Sequence, residues 1–154
     1  MTVPLDRAAI ARLIPHSGAM CLLDEVIAWD AATIICRTAS HRELDNPLSR
    51  DGALAAICGI EYAAQAMAVH SRLANAIGER PAAGFLASVR EVRCEVDRLD
   101  RLPGYLVITA ERLLGDTARA IYRFVLSCGT APVMSGRAAV VLQAEMPSSA
   151  ETSP

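Results

Sequence analysis

The sequence predicts an α+β domain in which one antiparallel sheet wraps a single long central helix. Three observations carry this. The stretch Ala53–Ile77 is rich in Ala and almost uncharged, two short strand-like runs precede it, and four longer ones follow it. At 154 residues the chain is one domain by size, and with 53 % hydrophobic residues it can bury a core.

The elements follow in chain order. Asp6–Leu13 reads as a short amphipathic helix, with Pro4 and Asp6 near its start and Pro15 closing it. Met20–Trp29 and Thr33–Ala39 read as strands joined by the hairpin residues Asp30-Ala31-Ala32. Ser40–Gly52 is a polar loop of a length that is often functional. The helix over Ala53–Ile77 ends at Gly78 and is apolar nearly all round until His70, so it should be enclosed. Strands are expected at Gly84–Val96, Gly104–Leu114, Arg119–Cys128 and Val133–Leu142, separated by the turn residues Pro103-Gly104, Gly115-Asp116 and Gly129-Thr130. One curved sheet cannot cover such a helix on every side, so a second subunit is its natural cover. The polar segment 145–154 is expected to be a disordered tail to a domain spanning 1–144.

Composition excludes several functions. A net charge of −2 with no aromatic-rich basic stretch argues against nucleic acid. All fifteen basic residues are Arg, so lysine Schiff-base chemistry is ruled out. The five cysteines are scattered in apolar runs, without the spacing of a metal or redox motif, and point to a reducing cytoplasm. Met1–Ala11 lacks the apolar core of a signal peptide. Ala53–Val69 approaches a membrane span in length, but Glu61 at its centre would cost about 2.5–3.5 kcal/mol in a bilayer, which favours a buried helix and no membrane.

With these elements placed, the chain resembles the hotdog-fold 3-hydroxyacyl-[acyl carrier protein] dehydratases over nearly its whole length. Ile14-Pro15-His16 followed by Met20–Val26 is similar to the family's opening Pro-His and strand. Gly59-Ile60-Glu61-Tyr62-Ala63-Ala64-Gln65-Ala66 is similar to its central helix, whose Glu is catalytic. Phe85–Arg90, Leu102–Leu106 and Ser135–Ala138 resemble its later strands and turn. Asn46-Pro47 before the helix and Ile60-Glu61-Tyr62 within it resemble a divergent branch associated with aryl polyene biosynthesis. The family's His-Phe-Pro-Gly loop is replaced by Asp45-Asn46-Pro47-Leu48, which contains no histidine.

The resemblance implies dehydration of a 3-hydroxyacyl thioester carried by acyl carrier protein or CoA, in fatty acid or polyene-type chain synthesis. Elimination needs no cofactor. Glu61 is the expected general acid/base, its pKa raised by desolvation; a structural acid paired inside the fold is the other reading. Gln65, one turn on, orients Glu61 or makes a polar core contact. Asn46 fixes a carbonyl or water, or serves only as a turn residue before Pro47. The backbone N–H groups of Ala56 and Ile57 are the expected oxyanion donors at the helix start. Phe85 and Leu86 are expected to line an acyl tunnel between two subunits, with Arg side chains at its mouth meeting phosphate. His16 reads as a structural turn residue ahead of a catalytic one, His41 as a solvated loop residue although it is the one best placed to substitute for the family's histidine, and His70 as exposed. No pair of histidines has metal-ligand spacing, so no metal is expected. Ser17-Gly18 lacks the strand–turn–helix setting of a nucleophile. The assembly is expected to be a homodimer, or a heterodimer with another hotdog chain. An acyl thioesterase on the same fold and a catalytically silent partner of an active dehydratase are the alternatives.

Overall fold

Local chemistry sets the first elements. In the computed structural model, which describes residues 4–14, 20–74, 76–77, 80–81, 83–116 and 118–143, β1 (Leu5–Asp6) leads into α1 (Arg7–Leu13). The Asp6 carboxylate caps α1 by accepting from the Ala9 N–H at 2.9 Å. Between β2 (Glu25–Trp29) and β3 (Thr33–Thr38), the Asp30 carboxylate accepts from the N–H groups of Ala32 and Thr33, closing the expected hairpin.

The long helix is shorter than its composition predicts. A 3₁₀ turn, Ala56–Cys58, opens α2 (Gly59–Ala74). Upstream, Arg50 and Ala53 exchange backbone hydrogen bonds of 2.9 and 3.0 Å around Asp51 and Gly52, both at positive φ (52° and 75°). That is a two-residue turn of the type Asp-Gly favours. Leu54 and Ala55 stay outside the helix, and the chain here is tied to the segment 97–100 by hydrogen bonds from the Leu54 N–H to the Asp100 carboxylate and from the Ala56 N–H to the Asp97 carbonyl. At the far end, β4 (Ala76–Ile77) pairs with β5 (Arg80–Pro81) instead of continuing the helix. Pro15, Gly78 and the tail 145–154 lie outside the described residues.

The remaining strands, β6 (Ala83–Cys94), β7 (Leu106–Gly115), β8 (Arg119–Cys128) and β9 (Ala131–Gln143), match the expected four within a few residues. Together they complete a seven-stranded antiparallel sheet in the order β1-β2-β3-β7-β8-β9-β6. Alternation divides its faces. Ala120, Tyr122, Phe124 and Leu126 of β8 are fully buried against α2, whereas Arg123 and Val125 face outward. Each large side chain buried in this way contributes about 1.5–3 kcal/mol.

Two glycines permit close packing. A Cβ on Gly59 would sit 3.0 Å from Leu126 and 3.1 Å from the Met134 sulfur, so a side chain there would require these neighbours on β8 and β9 to give by a few tenths of an ångström. On β9, a Cβ on Gly136 would come within 2.6 Å of the Phe124 ring. Among the described residues no helix is long and apolar enough to cross a membrane.

The sheet covers α2 on one side only. Tyr62, Ala63, Ala66, Met67 and Val69 are buried, while Ile57 is 56 % exposed, Glu61 is exposed, and Ile60, Ala64 and Ala68 are half-buried. The expectation of a helix enclosed all round is corrected for the single chain. An open stripe remains at helical spacing, as one curved sheet dictates.

Candidate functional site

Glu61 lies on this open stripe in the first turn of α2, not in an apolar enclosure. Cys58, three residues earlier on the 3₁₀ turn, is half-buried beside it; burial and then the Glu61 carboxylate push its thiol pKa up, while Arg50 opposes them. Arg50, Cys58 and Glu61 thus share one electrostatic neighbourhood at the helix start. The 58-to-61 spacing was the sequence signal for Cys58; Arg50 is brought in by the Asp51-Gly52 turn.

The two proposed oxyanion donors separate. The Ala56 N–H is already engaged by the Asp97 carbonyl at 2.9 Å, which removes it from the expected role. The Ile57 N–H meets no acceptor among the described residues, and it sits at the positive end of the helix.

Gln65 is 2 % exposed and does not reach Glu61 with its amide. Its Oε1 accepts from the Leu22 N–H at 2.9 Å and its Nε2 donates to the Met20 carbonyl at 2.7 Å. It therefore fastens α2 to the segment entering β2, which is the polar core contact.

Asn46 is similarly committed. At 6 % exposure its Nδ2 donates to the Ser40 carbonyl (2.9 Å) and to the Tyr62 hydroxyl (3.0 Å), and its Oδ1 accepts from the Leu48 N–H (2.9 Å). The chain of donors continues from the Tyr62 hydroxyl to Ser40 Oγ (2.9 Å) and from Ser40 to the Leu22 carbonyl (2.7 Å), which Thr38 also reaches (2.6 Å). Asn46 braces the polar loop against α2 through Tyr62, whose pKa burial raises. No sequence signal marked Tyr62, Ser40 or Thr38 as one network, because they meet only through the fold.

Two histidines contradict their expected exposure. His70 is fully buried: its Nε2 donates to the Asp30 carbonyl at 2.8 Å, leaving Nδ1 to accept from the Tyr122 hydroxyl at 2.6 Å. Amphipathic reasoning placed it where the helix turns polar, but the hairpin carbonyl and Tyr122 supply partners inside. His41 is also fully buried, with Nε2 donating to the Leu102 carbonyl at 3.0 Å and Nδ1 without a protein partner among the described residues. Burial holds the pKa of both rings below the ordinary value. Neither bonds to Glu61. His16 and Ser17-Gly18 lie outside the described residues.

The two expected tunnel residues part company. Leu86 pairs with the inward-facing Val140, so it shares the helix side of the sheet. Phe85 pairs with Val141 and lies on the outward face, 47 % exposed; the alternation of β6 separates neighbours that a sequence run cannot assign to faces. Among the described residues no group of three or more His, Cys, Asp or Glu side chains could hold a metal.

Similar proteins agree with this architecture. Among solved structures, the dehydratase heterocomplex ApeI:P from Xenorhabdus doucetiae is 28 % identical, with a TM-score of 0.73 over 87 % of this chain and 90 % of that one. A thioesterase from Haemophilus influenzae (10 % identity, TM-score 0.67, covering 94 % and 95 %) and AziG from S. sahachiroi (13 %, 0.65, covering 86 % and 99 %) share the fold alone. No curated protein sequence matches the chain. The architecture is the hotdog fold, a seven-stranded antiparallel sheet around one long helix. A family model for the ApeP dehydratase matches residues 8–151, and the chain belongs to the ApeP-like dehydratase family.

Proposed function

We propose that this chain is one subunit of a two-chain hotdog dehydratase acting on 3-hydroxyacyl thioesters, with Glu61 as its proton-transfer group. The observation carrying this is the placement of Glu61 on the uncovered stripe of α2, four residues after the exposed Ile57, where a second subunit would close over it. Glu61 would move the proton between the α-carbon and the departing hydroxyl, and the Ile57 N–H would face the thioester oxygen as negative charge develops. Closure by the second chain would strip water from the carboxylate and supply any further acid or base. The ApeI:P heterocomplex favours a different hotdog chain as that cover over a second copy of this one. Acyl carrier protein or CoA would deliver the substrate, with Leu86 and Ile57 against its acyl chain. The free cysteines support a reducing, cytoplasmic setting.

Turnover of 3-hydroxyacyl-carrier and 3-hydroxyacyl-CoA to the 2-enoyl product, measured for this chain alone and with a second hotdog chain, tests the reading. Glu61→Gln should lower kcat at least 100-fold in the active assembly while leaving the melting temperature unchanged, since the side chain is exposed in the single chain. Unaltered turnover would reject Glu61. Release of free thiol would assign a thioesterase instead.

A second reading is favoured by the internal engagement of Asn46 and both described histidines. The chain would then be a catalytically silent partner that retains the fold and interface. An assembly fully active with Glu61→Gln, but inactive without this chain, would establish it.

A further inference from the structure

The sheet face turned away from α2 carries a feature that the Glu61 site does not use. Successive cross-strand partners there form two parallel rows. In one, Arg90 of β6 stands opposite Arg137 of β9, which stands opposite Arg123 of β8 and then Glu111 of β7. In the other, Leu114 of β7 stands opposite Ile121 of β8 and then Ala139 of β9. Beyond this second row Val141 extends the apolar strip, and Arg119 opposes it. An open trough of about 650 Å³ is lined by residues of both rows, and a shallower hollow of about 280 Å³ continues it to Leu114.

The arginine row is unfavourable as it stands. Like charges directly opposite on neighbouring strands destabilise a sheet. Among the described residues, the ion pairs that offset it are half-exposed or more exposed: Arg137 with Glu91 at 3.3 Å and Arg123 with Glu111 at 3.9 Å. Arg90 makes no ion pair among the described residues. The strip beside it is exposed as well, with Leu114 at 70 % and Val141 at 40 %. A cationic row along an apolar trough is an amphipathic receptor.

We propose that this trough is a docking surface for an acidic amphipathic helix of a partner protein, lying across the strands. Spacing supports the choice of occupant. Neighbouring strands lie about 4.8 Å apart, close to the helical pitch of about 5.4 Å, so carboxylates one turn apart on such a helix would meet Arg90, Arg137 and Arg123 in turn. The apolar stripe of the same helix would lie on Ile121, Ala139 and Val141. A concave trough suits a cylinder about 10 Å across and does not suit a flat lipid surface. The surface remains open when a second subunit covers α2, because it occupies the opposite face of the sheet.

Fluorescence anisotropy with a helix-stapled peptide of about four turns, carrying Glu at one-turn intervals beside a Leu stripe, tests this in the full-length protein. The expected result is micromolar binding, weakened at least tenfold by Arg90→Ser/Arg123→Ser/Arg137→Ser and, separately, by Leu114→Asn/Val141→Ser. Both variants are at exposed positions and should retain the wild-type circular dichroism melt. A composition-matched scrambled peptide should bind at least tenfold more weakly. Equal binding of the scrambled peptide, or undiminished binding by the arginine variant, would overturn the proposal. So would sedimentation showing that the unliganded protein self-associates through this face and that the arginine variant does not, which would assign it to a second copy.

Discussion

Replacing Gln65 by Leu separates a structural clamp from a catalytic aid. The amide accepts from the Leu22 N–H at 2.9 Å and donates to the Met20 carbonyl at 2.7 Å, and the side chain is 2 % exposed. Leu has similar bulk, so the change deletes two hydrogen bonds without opening a large cavity. Leu22 is 1 % exposed, and its stranded N–H should cost about 1–3 kcal/mol. Met20 is 41 % exposed, so water can replace part of the second bond and its loss should add about 1 kcal/mol or less. The total of about 1–4 kcal/mol is a large fraction of the roughly 5–15 kcal/mol by which a domain is stable. At about 2–4 °C per kcal/mol for a chain of this size, the calorimetric melt should fall by roughly 2–16 °C. Turnover per folded molecule, measured well below the melt, should stay within a few-fold of wild type. A melt within 1 °C of wild type, or a large loss of kcat at unchanged stability, would refute this account and return Gln65 to the orientation of Glu61.

Other outcomes follow from the same geometry. Gly136→Val should destabilise the chain by about 1–3 kcal/mol in urea unfolding, because its Cβ would fall 2.6 Å from the Phe124 ring and that ring is enclosed on β8. Acid should weaken the fold through His41 and His70. Both are held neutral by burial, so between their lowered folded pKa and the ordinary value near 6.5 the unfolded chain binds more protons. Stability should therefore be fully present above about pH 6.5 and decline as pH falls below it. Urea midpoints across pH 5–8 read this directly, and a midpoint that rises on acidification over the lower half of that range would contradict it. Asp6→Ala should remove the α1 cap and cost about 0.5–2 kcal/mol, visible as a lower melt.

How much of this was legible in the sequence depends on whether the cause is local. The strand over Arg119–Cys128, the Asp30 hairpin and the Asp6 cap follow from alternation and turn chemistry within a few residues, and the structure places them where expected. The helix ends did not follow. Ala-rich propensity runs on through 53–55 and 76–77, but hydrogen bonds from the 97–100 segment and from β5 claim those residues. The Glu61 position was legible from its isolation in an apolar helix. Its exposure was not, because one chain's sheet covers only one side of α2.

The sequence alone therefore determined the order of elements, the alternation of β8, and the acid that marks the helix. Tertiary structure decided the state of the buried polar groups. Asn46, Gln65, His41 and His70 found partners 16 to 61 residues away, so their burial reflects contacts no local pattern encodes. It also decided that Phe85 and Leu86 part to opposite faces, because register, not composition, sets which side of a strand each residue occupies.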